Sequence, residues 1–238
     1  MVTVISLGGS IVAPDNVDTD FLKNFTDLIR SFIEIKPAAG QDSGRHFIFV
    51  VGGGGPARSW QSAYRKVMED KESKNEEADW IGITATRLNA QLVKAVMSEW
   101  CSQDVVTNPM EVGPLTSHVL IAAGWKPGFS TDYIAVQLAE RFGADMVINL
   151  SNIEKVYTAD PKKDPTARPL DKISWAEFRS MVGDDWVPGK NVPFDPIASR
   201  HAEKIGLKVI CAGGKDLENI RKILKGEDFT GTTICAKG

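Results

Sequence analysis

Apolar and polar residues alternate along this chain with two different periods. Short, nearly unbroken apolar runs, such as residues 47–51 with three β-branched side chains, are typical of strands buried on both faces. Other stretches carry apolar residues three and four positions apart. One of them, residues 18–35, predicts an amphipathic helix with Asp18 or Thr19 as its N-cap. Because the two kinds of segment follow one another throughout, the pattern predicts a parallel or mostly parallel sheet with helices on both faces.

The predicted elements occupy the chain without an internal repeat or a hinge-like linker. The predicted strands are residues 2–7, 47–51, 105–106, 119–122, 146–150, 208–211 and 232–235. The predicted helices are residues 18–35, 56–66, 80–100, 131–142, 174–181, 194–205 and 216–224. The polar stretches, expected to be loops or exposed helix ends, are residues 37–44, 69–78, 151–166 and 184–191. The expected fold class is α/β, a three-layer αβα sandwich in one domain. A less distinct boundary between two halves of this domain is expected near residue 145.

Two glycine-rich turns follow predicted strands. Gly8 and Gly9 precede Ser10, and four glycines at positions 52–55 precede a helix that carries Arg58. A strand, a glycine turn and a helix start direct backbone N–H groups and the positive end of a helix dipole at one spot, which suits a phosphate. The alternative is a plain strand-to-helix turn. Because polar clusters also follow the strands at 119–122 and 146–150, all four would meet in one cleft if their strands are adjacent.

Composition excludes several classes of protein. The 238 residues are 42% apolar and 25% charged, with a formal net charge of −3, so no strong field recruits nucleic acid or an anionic membrane. Three distant cysteines form neither a disulfide framework nor a zinc motif, which fits a reducing cytoplasm. The first residues are expected to form a strand rather than a signal peptide, and no apolar run is long enough for a membrane span.

The glycine turns match none of the common nucleotide-binding fingerprints. Neither has the Walker sequence G-x-x-x-x-G-K-[ST], and neither has G-x-G-x-x-G followed by an acidic residue about 20 positions later. The G-x-S-x-G elbow and the protein-kinase signatures are also absent from the sequence. The P-loop and dinucleotide-binding folds are therefore weak interpretations of this chain.

Seven motifs occur in order along nearly the whole chain. They are LGGS at 7–10, VVGGG at 50–54 with AR at 57–58, DWIGI at 79–83 with ATRLNA at 85–90, PG at 127–128 with STD at 130–132, NI at 152–153 with VYTADPKKDP at 156–165, FDP at 194–196, and GTTI at 231–234. Each motif alone is weak, whereas their order and spacing together are specific. On these motifs the chain resembles the amino acid kinase superfamily and, within it, the uridylate (UMP) kinases of the archaeal type.

The resemblance implies transfer of the γ-phosphate of ATP, bound with Mg²⁺, to the phosphate of UMP, giving UDP. It implies an acceptor-nucleotide half at about residues 1–145 and an ATP-binding half at about residues 146–238. Arg58 would grip the acceptor phosphate, and Asp79 would accept from the ribose hydroxyls. The other residues expected around UMP are Gly52, Gly53, Gly54, Ser130, Thr131 and Asp132.

The same resemblance implies a set of residues on the ATP side. These are Gly8, Gly9, Ser10, Asn152, Tyr157, Asp160 and Lys163. Gly9, Arg58 and Lys162 are the residues expected to act on the transferring phosphoryl group. Two phosphates held in line by cations and N–H donors are what this chemistry needs, and the acceptor oxygen, already an anion, needs no general base. Members of the family are commonly hexamers built from dimers, so a homo-oligomer is expected.

Two positions depart from the pattern of the family. Many members carry a lysine two residues before the first glycine pair, where this chain has Ser6; Lys162, Lys163 and Lys190 are candidate replacements. Lys155 stands where the family usually has glycine. Two alternatives stay open. One is a sister small-molecule kinase of the same fold, and the other, which the two departures keep open, is a non-catalytic nucleotide-binding or storage homologue. The glycine turn at 52–55 lacks the histidine expected of isopentenyl phosphate kinases, which argues against that sister group.

Overall fold

The computed structural model describes residues 1–34, 44–69, 74–183 and 192–236. Its strands are β1 (Val2–Leu7), β2 (His46–Val51), β3 (Val119–Ala122), β4 (Met146–Ser151), β5 (Val156–Tyr157), β6 (Pro169–Leu170), β7 (Lys172–Ser174), β8 (Lys208–Gly213) and β9 (Thr232–Cys235). Its helices are α1 (Gly9–Val12), α2 (Thr19–Ile33), α3 (Gly54–Val67), α4 (Asn75–Val96), α5 (Thr131–Phe142), α6 (Trp175–Val182), α7 (Pro196–Lys204) and α8 (Leu217–Lys225). The predicted loop at 184–191, which includes Lys190, and most of the one at 37–44 lie outside the described residues.

Seven strands form one sheet in the order β3-β2-β1-β4-β8-β9-β7. Neighbouring strands are parallel except β8 and β9, which run antiparallel, so the prediction of a mostly parallel sheet is confirmed. The first four strands in this order are the ones that precede the four polar clusters. Because parallel strands end at the same edge, the clusters meet there, as the sequence predicted.

Helices cover both faces of the sheet, which confirms the three-layer sandwich. Successive residues of a strand point to opposite faces, and β2 shows this directly. Phe47, Phe49 and Val51 pack in the core that includes α2, α4 and α8. Ile48 and Val50 pack in the second core, with α5, α6 and α7. A sheet covered on both faces explains why its strands read as continuous apolar runs.

Most predicted boundaries are correct, and the errors have physical reasons. Asp18 and Ser130 cap α2 and α5 by accepting from backbone N–H groups, as expected. The charged stretch before α4 is partly helical, since this helix begins at Asn75, with acidic residues in its first turn. The predicted strand at 105–106 was wrong, because Val106 makes only an isolated bridge to Ala122. The short elements α1, β5, β6 and β7 were missed because two to four residues carry no readable period.

Among the described residues, no helix combines the length and the apolar character that crossing a membrane requires.

Candidate active site

The two glycine turns are in direct backbone contact, because β1 and β2 are paired neighbours. A Cβ placed on Gly9 would lie 2.0 Å from the nitrogen of Gly54 and 2.7 Å from the carbonyl carbon of Gly52. A Cβ on Gly52 would lie 2.4 Å from the nitrogen of Gly9. Gly54 also has φ of +63°, a conformation that favours glycine. These glycines therefore let the turns touch, which is a structural requirement in addition to the one that phosphate binding would impose.

Some backbone N–H groups of the turns are used to hold the turns in place. Gly8 donates to the carbonyl of Leu150 at 2.8 Å, and Gly52 donates to the carbonyl of Leu7 at 3.0 Å. Each bond ties a turn to the end of a neighbouring strand. Gly8 and Gly52 therefore offer no N–H to a ligand, and their place in the site is to shape the turns.

Four other N–H groups of the turns have no hydrogen-bond partner among the residues that the structure describes. They belong to Gly9, Ser10, Gly53 and Gly54. Gly9 and Ser10 begin α1, and Gly53 and Gly54 begin α3, which is 14 residues long. Unpaired N–H groups at a helix start, together with the positive end of the helix dipole, suit an anion.

Arg58 lies in α3, one turn beyond the glycines. Its Nη2 donates to the carbonyl of Pro14 at 2.8 Å, and the side chain is exposed. Pro14 follows α1, so this bond joins α3 to the segment after the first glycine turn. A guanidinium has further donors, so Arg58 can bind a phosphate at this place.

Four polar side chains of α4 hold the turn after β2 and the loop after β3. Asn89 Nδ2 donates to the carbonyls of Gly52 and Gly53, at 2.9 and 3.1 Å. Each of the four side chains forms hydrogen bonds with backbone atoms of one of these two loops. The four are Asp79, Thr86, Arg87 and Asn89. The sequence showed these polar positions close together on one helix but assigned a role only to Asp79. The sequence signal for Asn89, which was missed, is a polar residue among the apolar positions on one face of this helix.

The structure brings Asp79 and the loop after β3 together. Asp79 Oδ2 accepts from the N–H of Gly128 at 3.1 Å. Thr86 Oγ1 accepts from the N–H of Gly124 at 2.8 Å, and Arg87 donates to the carbonyl of Trp125 at 2.9 Å. Ser130 and Thr131 follow at the start of α5, where the Ser130 hydroxyl accepts from the N–H of Tyr133. The Ser130 side chain is thus engaged as a helix cap.

Asp132 lies against Ser6 at the end of β1. Its Oδ1 accepts from the Ser6 hydroxyl at 2.9 Å, and its Oδ2 accepts from the N–H of Asp195 at 3.2 Å. Burial, with a smaller contribution from the charge of Asp195, raises the pKa of Asp132 to about 6. Ser6 is buried and occupies the place where a lysine was expected. The Ser6 hydroxyl therefore satisfies one carboxylate oxygen of Asp132 without supplying a positive charge.

The donor-side segment after β4 is exposed and held by local bonds. Asp160 Oδ1 accepts from the N–H of Lys162 at 3.0 Å, and its other oxygen lies 4.0 Å from Lys163 Nζ. Both lysines and Asn152 are exposed, while Tyr157 is half-buried in β5. The structure therefore places these predicted ATP-side residues in one segment after β4. It does not bring either lysine into a hydrogen bond with the glycine turns.

Lys155 fits its position without the backbone conformation that favours glycine. Glu69 is the one non-glycine residue with positive φ in the described part of the chain, so Lys155 is not in the left-handed region. Its Nζ forms an ion pair with Asp171, which precedes β7. The replacement of the usual glycine has therefore given this segment an ion pair to the edge of the sheet.

Comparison with known proteins agrees with the resemblance seen in the sequence. The chain is 34% identical to the uridylate kinase of Methanospirillum hungatei, over 99% of this chain and 95% of that protein. It is 31% identical to the uridylate kinase of Pyrococcus abyssi, over 97% of this chain and 98% of that protein.

The crystal structure of uridylate kinase from Archaeoglobus fulgidus has the same fold. Its TM-score to this chain is 0.80 at 32% sequence identity, covering 99% of this chain and 100% of that one. The model of the amino acid kinase family matches residues 1–213. The chain therefore belongs to the amino acid kinase family.

Proposed function

We propose that this chain is a UMP kinase that transfers the γ-phosphate of ATP to UMP and gives UDP and ADP. Its full-length similarity to uridylate kinases supports this activity. The observation that carries the proposal is the backbone contact between the turn at Gly9 and the turn at Gly52–Gly54. Two phosphates bound to adjacent turns lie close enough for direct transfer, and positioning is most of what this reaction needs.

On the acceptor side, the N–H groups of Gly53 and Gly54 and the guanidinium of Arg58 bind the UMP phosphate. Asp79 accepts from the ribose hydroxyls, and its bond to the N–H of Gly128 aligns it with the loop after β3. The remaining acceptor residues border the nucleotide. They are Gly52, Ser130, Thr131 and Asp132.

On the donor side, the N–H groups of Gly9 and Ser10 bind the phosphates of ATP, and Gly8 shapes their turn. Asn152, Tyr157, Asp160 and Lys163 contact the rest of ATP from the segment after β4. Lys162 supplies the positive charge that Ser6 does not. Apart from the ATP-side turn at Gly8–Ser10, the division follows the chain, with an acceptor half at about residues 1–145 and an ATP-binding half at about residues 146–238.

Mg²⁺ accompanies ATP and is bound mainly through its phosphates. Among the described residues, no group of three or more His, Cys, Asp and Glu side chains is arranged to hold a metal ion. Mg²⁺ commonly keeps several waters and uses substrate phosphates as ligands. When bound with ATP, Mg²⁺ would supply positive charge that offsets the charge of the phosphates.

The biological setting follows from the reaction. UDP formation serves pyrimidine nucleotide biosynthesis, and three cysteines spaced as neither a disulfide framework nor a zinc motif suit the reducing cytoplasm. A homo-oligomer, a hexamer built from dimers, is the proposed assembly. Exposed apolar side chains on α3 and α4, Trp60, Trp80 and Leu88, give this assembly a candidate interface.

An ADP-release assay with ATP and Mg²⁺ tests the proposed activity. UMP, CMP, dUMP and isopentenyl phosphate are compared as acceptors, and we expect the highest kcat/KM with UMP. Preference for another acceptor would indicate the sister kinase. Tight binding of UMP without turnover would indicate the non-catalytic homologue.

A further inference from the structure

Asn89 is a buried amide that bonds two successive carbonyls of the acceptor turn. Its side chain is 3% exposed, and its Nδ2 donates to Gly52 O at 2.9 Å and to Gly53 O at 3.1 Å. The Gly53 carbonyl also accepts from the N–H of Ala57 at 3.3 Å. Both carbonyls are therefore fixed in direction, the first towards α4 and the second between α4 and the axis of α3.

The direction of a carbonyl fixes the direction of the next N–H group. In a trans peptide, the C=O of one residue and the N–H of the following residue point to opposite sides. No peptide bond in the described residues is cis. Because Asn89 holds the carbonyls of Gly52 and Gly53 towards α4, the N–H groups of Gly53 and Gly54 point away from α4. These are the two N–H groups of this turn that have no partner within the described residues.

We propose that Asn89 is a positioning residue for the acceptor phosphate. This inference rests on the proposed function, because it assigns the two N–H groups to the phosphate of UMP. Without Asn89, the Gly52 carbonyl has no hydrogen-bond partner within the described residues, and the Gly53 carbonyl keeps only the 3.3 Å bond from Ala57. Because glycine has few steric restrictions, these peptides can then rotate and turn carbonyl oxygens towards the phosphate. A carbonyl oxygen repels the phosphate that the N–H group would bind. Asn89 prevents this rotation from a position outside the site, without contacting the substrate.

The isosteric variant Asn89→Asp tests this assignment. A carboxylate cannot donate to either carbonyl, and its charge repels both. We expect KM for UMP to rise about tenfold, the effect of losing roughly one phosphate hydrogen bond, while KM for ATP stays within about twofold. A merely structural role of Asn89 would move both KM values together or only the stability. Asn89→Ala, which removes the donor without adding charge, provides the same test if the charged variant does not fold.

Asn219 offers a matched control for the same chemical change. It is also buried, and its Nδ2 donates to Thr230 O at 2.6 Å, at the start of α8 and outside the proposed site. Asn219→Asp should lower the melting temperature without changing KM for UMP. Gly53 and Gly54 amide resonances of ¹⁵N-glycine-labelled protein should shift when UMP binds to wild type and to Asn219→Asp. The same resonances should shift much less in Asn89→Asp.

The outcomes separate this inference from the proposed function. Wild-type protein that does not phosphorylate UMP contradicts the proposed function. Active wild type with an unchanged UMP KM in Asn89→Asp and Asn89→Ala overturns the positioning role and leaves the activity standing. A selective rise in UMP KM together with loss of the glycine shifts supports it.

Discussion

The acceptor side of the cleft is held by buried side chains, whereas the donor side is held mainly by bonds within an exposed segment. Asn89 and Thr86, both buried in α4, fix the backbone of the two acceptor loops. On the donor side, Asp160 bonds residues of its own turn, and Lys162 and Lys163 are exposed. A loop already fixed costs little conformational entropy when a ligand binds, whereas an exposed one must be ordered by the ligand. The acceptor side is therefore the prearranged part of the site.

The contact between the two turns packs the backbone of one turn directly against the backbone of the other, so breaking it should have the largest effect. In Gly9→Ala, the added Cβ meets the backbone of Gly54 at 2.0 Å. Backbone cannot move aside cheaply, so we expect the free energy of unfolding to fall by about 2–3 kcal/mol. Activity should fall on the order of 100-fold because the two phosphates are no longer aligned.

Urea denaturation and the ADP-release assay measure the two effects of Gly9→Ala. Gly113→Ala is the matched control, since a Cβ at Gly113 meets no atom within 4 Å. That variant should stay within about 0.5 kcal/mol of wild type. Near-normal activity and stability in Gly9→Ala would contradict the close contact of the turns.

Asp132 joins the acceptor helix α5 to the donor strand β1 through Ser6, and its protonation tests this link. Burial raises its pKa from an ordinary value of 3.8 to about 6. Between pH 3.8 and pH 6 the folded state holds a proton that the unfolded state has lost, so stability falls as pH rises through this window. Above pH 6 the cost stays constant, at most about 3 kcal/mol.

Asp132→Asn removes the ionisation and keeps the shape. The amide can accept from the N–H of Asp195 and donate to the Ser6 hydroxyl, which replaces both bonds of the carboxylate. We expect the stability of the variant relative to wild type to increase from pH 4 to pH 6 and then to level off. Urea denaturation between pH 4 and pH 8 measures this. A difference that is independent of pH would mean that the pKa of Asp132 is not raised.

Arg58 tests the binding of the UMP phosphate on the acceptor side. Arg58→Ala removes a guanidinium that is exposed and bonded to the Pro14 carbonyl, so stability should change little. KM for UMP should rise about 10- to 100-fold, the effect of losing a charge-assisted hydrogen bond to phosphate, while KM for ATP changes little. Initial rates at varied UMP and ATP concentrations separate the two constants.

Arg65 provides the control for this variant, since it lies in the same helix two turns further on. Arg65→Ala should leave both KM values unchanged. An equal rise of both constants in Arg58→Ala would place Arg58 at the contact between the sides rather than at the UMP phosphate.

Periodicity and local chemistry were enough to predict most of the fold. The buried strands, the caps at Asp18 and Ser130, and the meeting of four polar clusters all depend on local pattern and strand adjacency. The close packing at Gly9 and Gly52 was only partly predictable from the sequence. A glycine next to a strand indicates close approach of some group, but only the paired register of β1 and β2 shows that the group is the other turn.

The contacts of Ser6, Lys155 and Asn89 could not be predicted from local sequence. Each partner lies at least 16 residues away along the chain: Asp132, Asp171 and the Gly52–Gly53 carbonyls, respectively. In the sequence, Ser6 indicated only that a lysine was missing, and the structure shows that the Ser6 hydroxyl donates to Asp132. Long-range partners of this kind need the fold to be known first.

Substitution of the donor-side lysines should have the smallest effects on the kinetic constants. These variants test which side chain supplies the positive charge that Ser6 lacks. Lys162 has no ion pair within the described residues, whereas Lys163 Nζ lies 4.0 Å from Asp160. If Lys162 reaches the transferring phosphoryl group when ATP orders its loop, Lys162→Ala lowers kcat about tenfold. Lys163→Ala should instead raise KM for ATP about twofold, the small effect of an exposed charge.

Lys208→Ala is the control for both lysine variants, because Lys208 begins β8 at the end of the sheet opposite the cleft. It should match wild type in kcat and in both KM values. If kcat is unchanged in both Lys162→Ala and Lys163→Ala, neither side chain replaces the lysine that the family has at position 6. Lys190→Ala would then test the remaining candidate. In either outcome, UMP KM should stay constant, because the acceptor side is held by α4 and not by this loop.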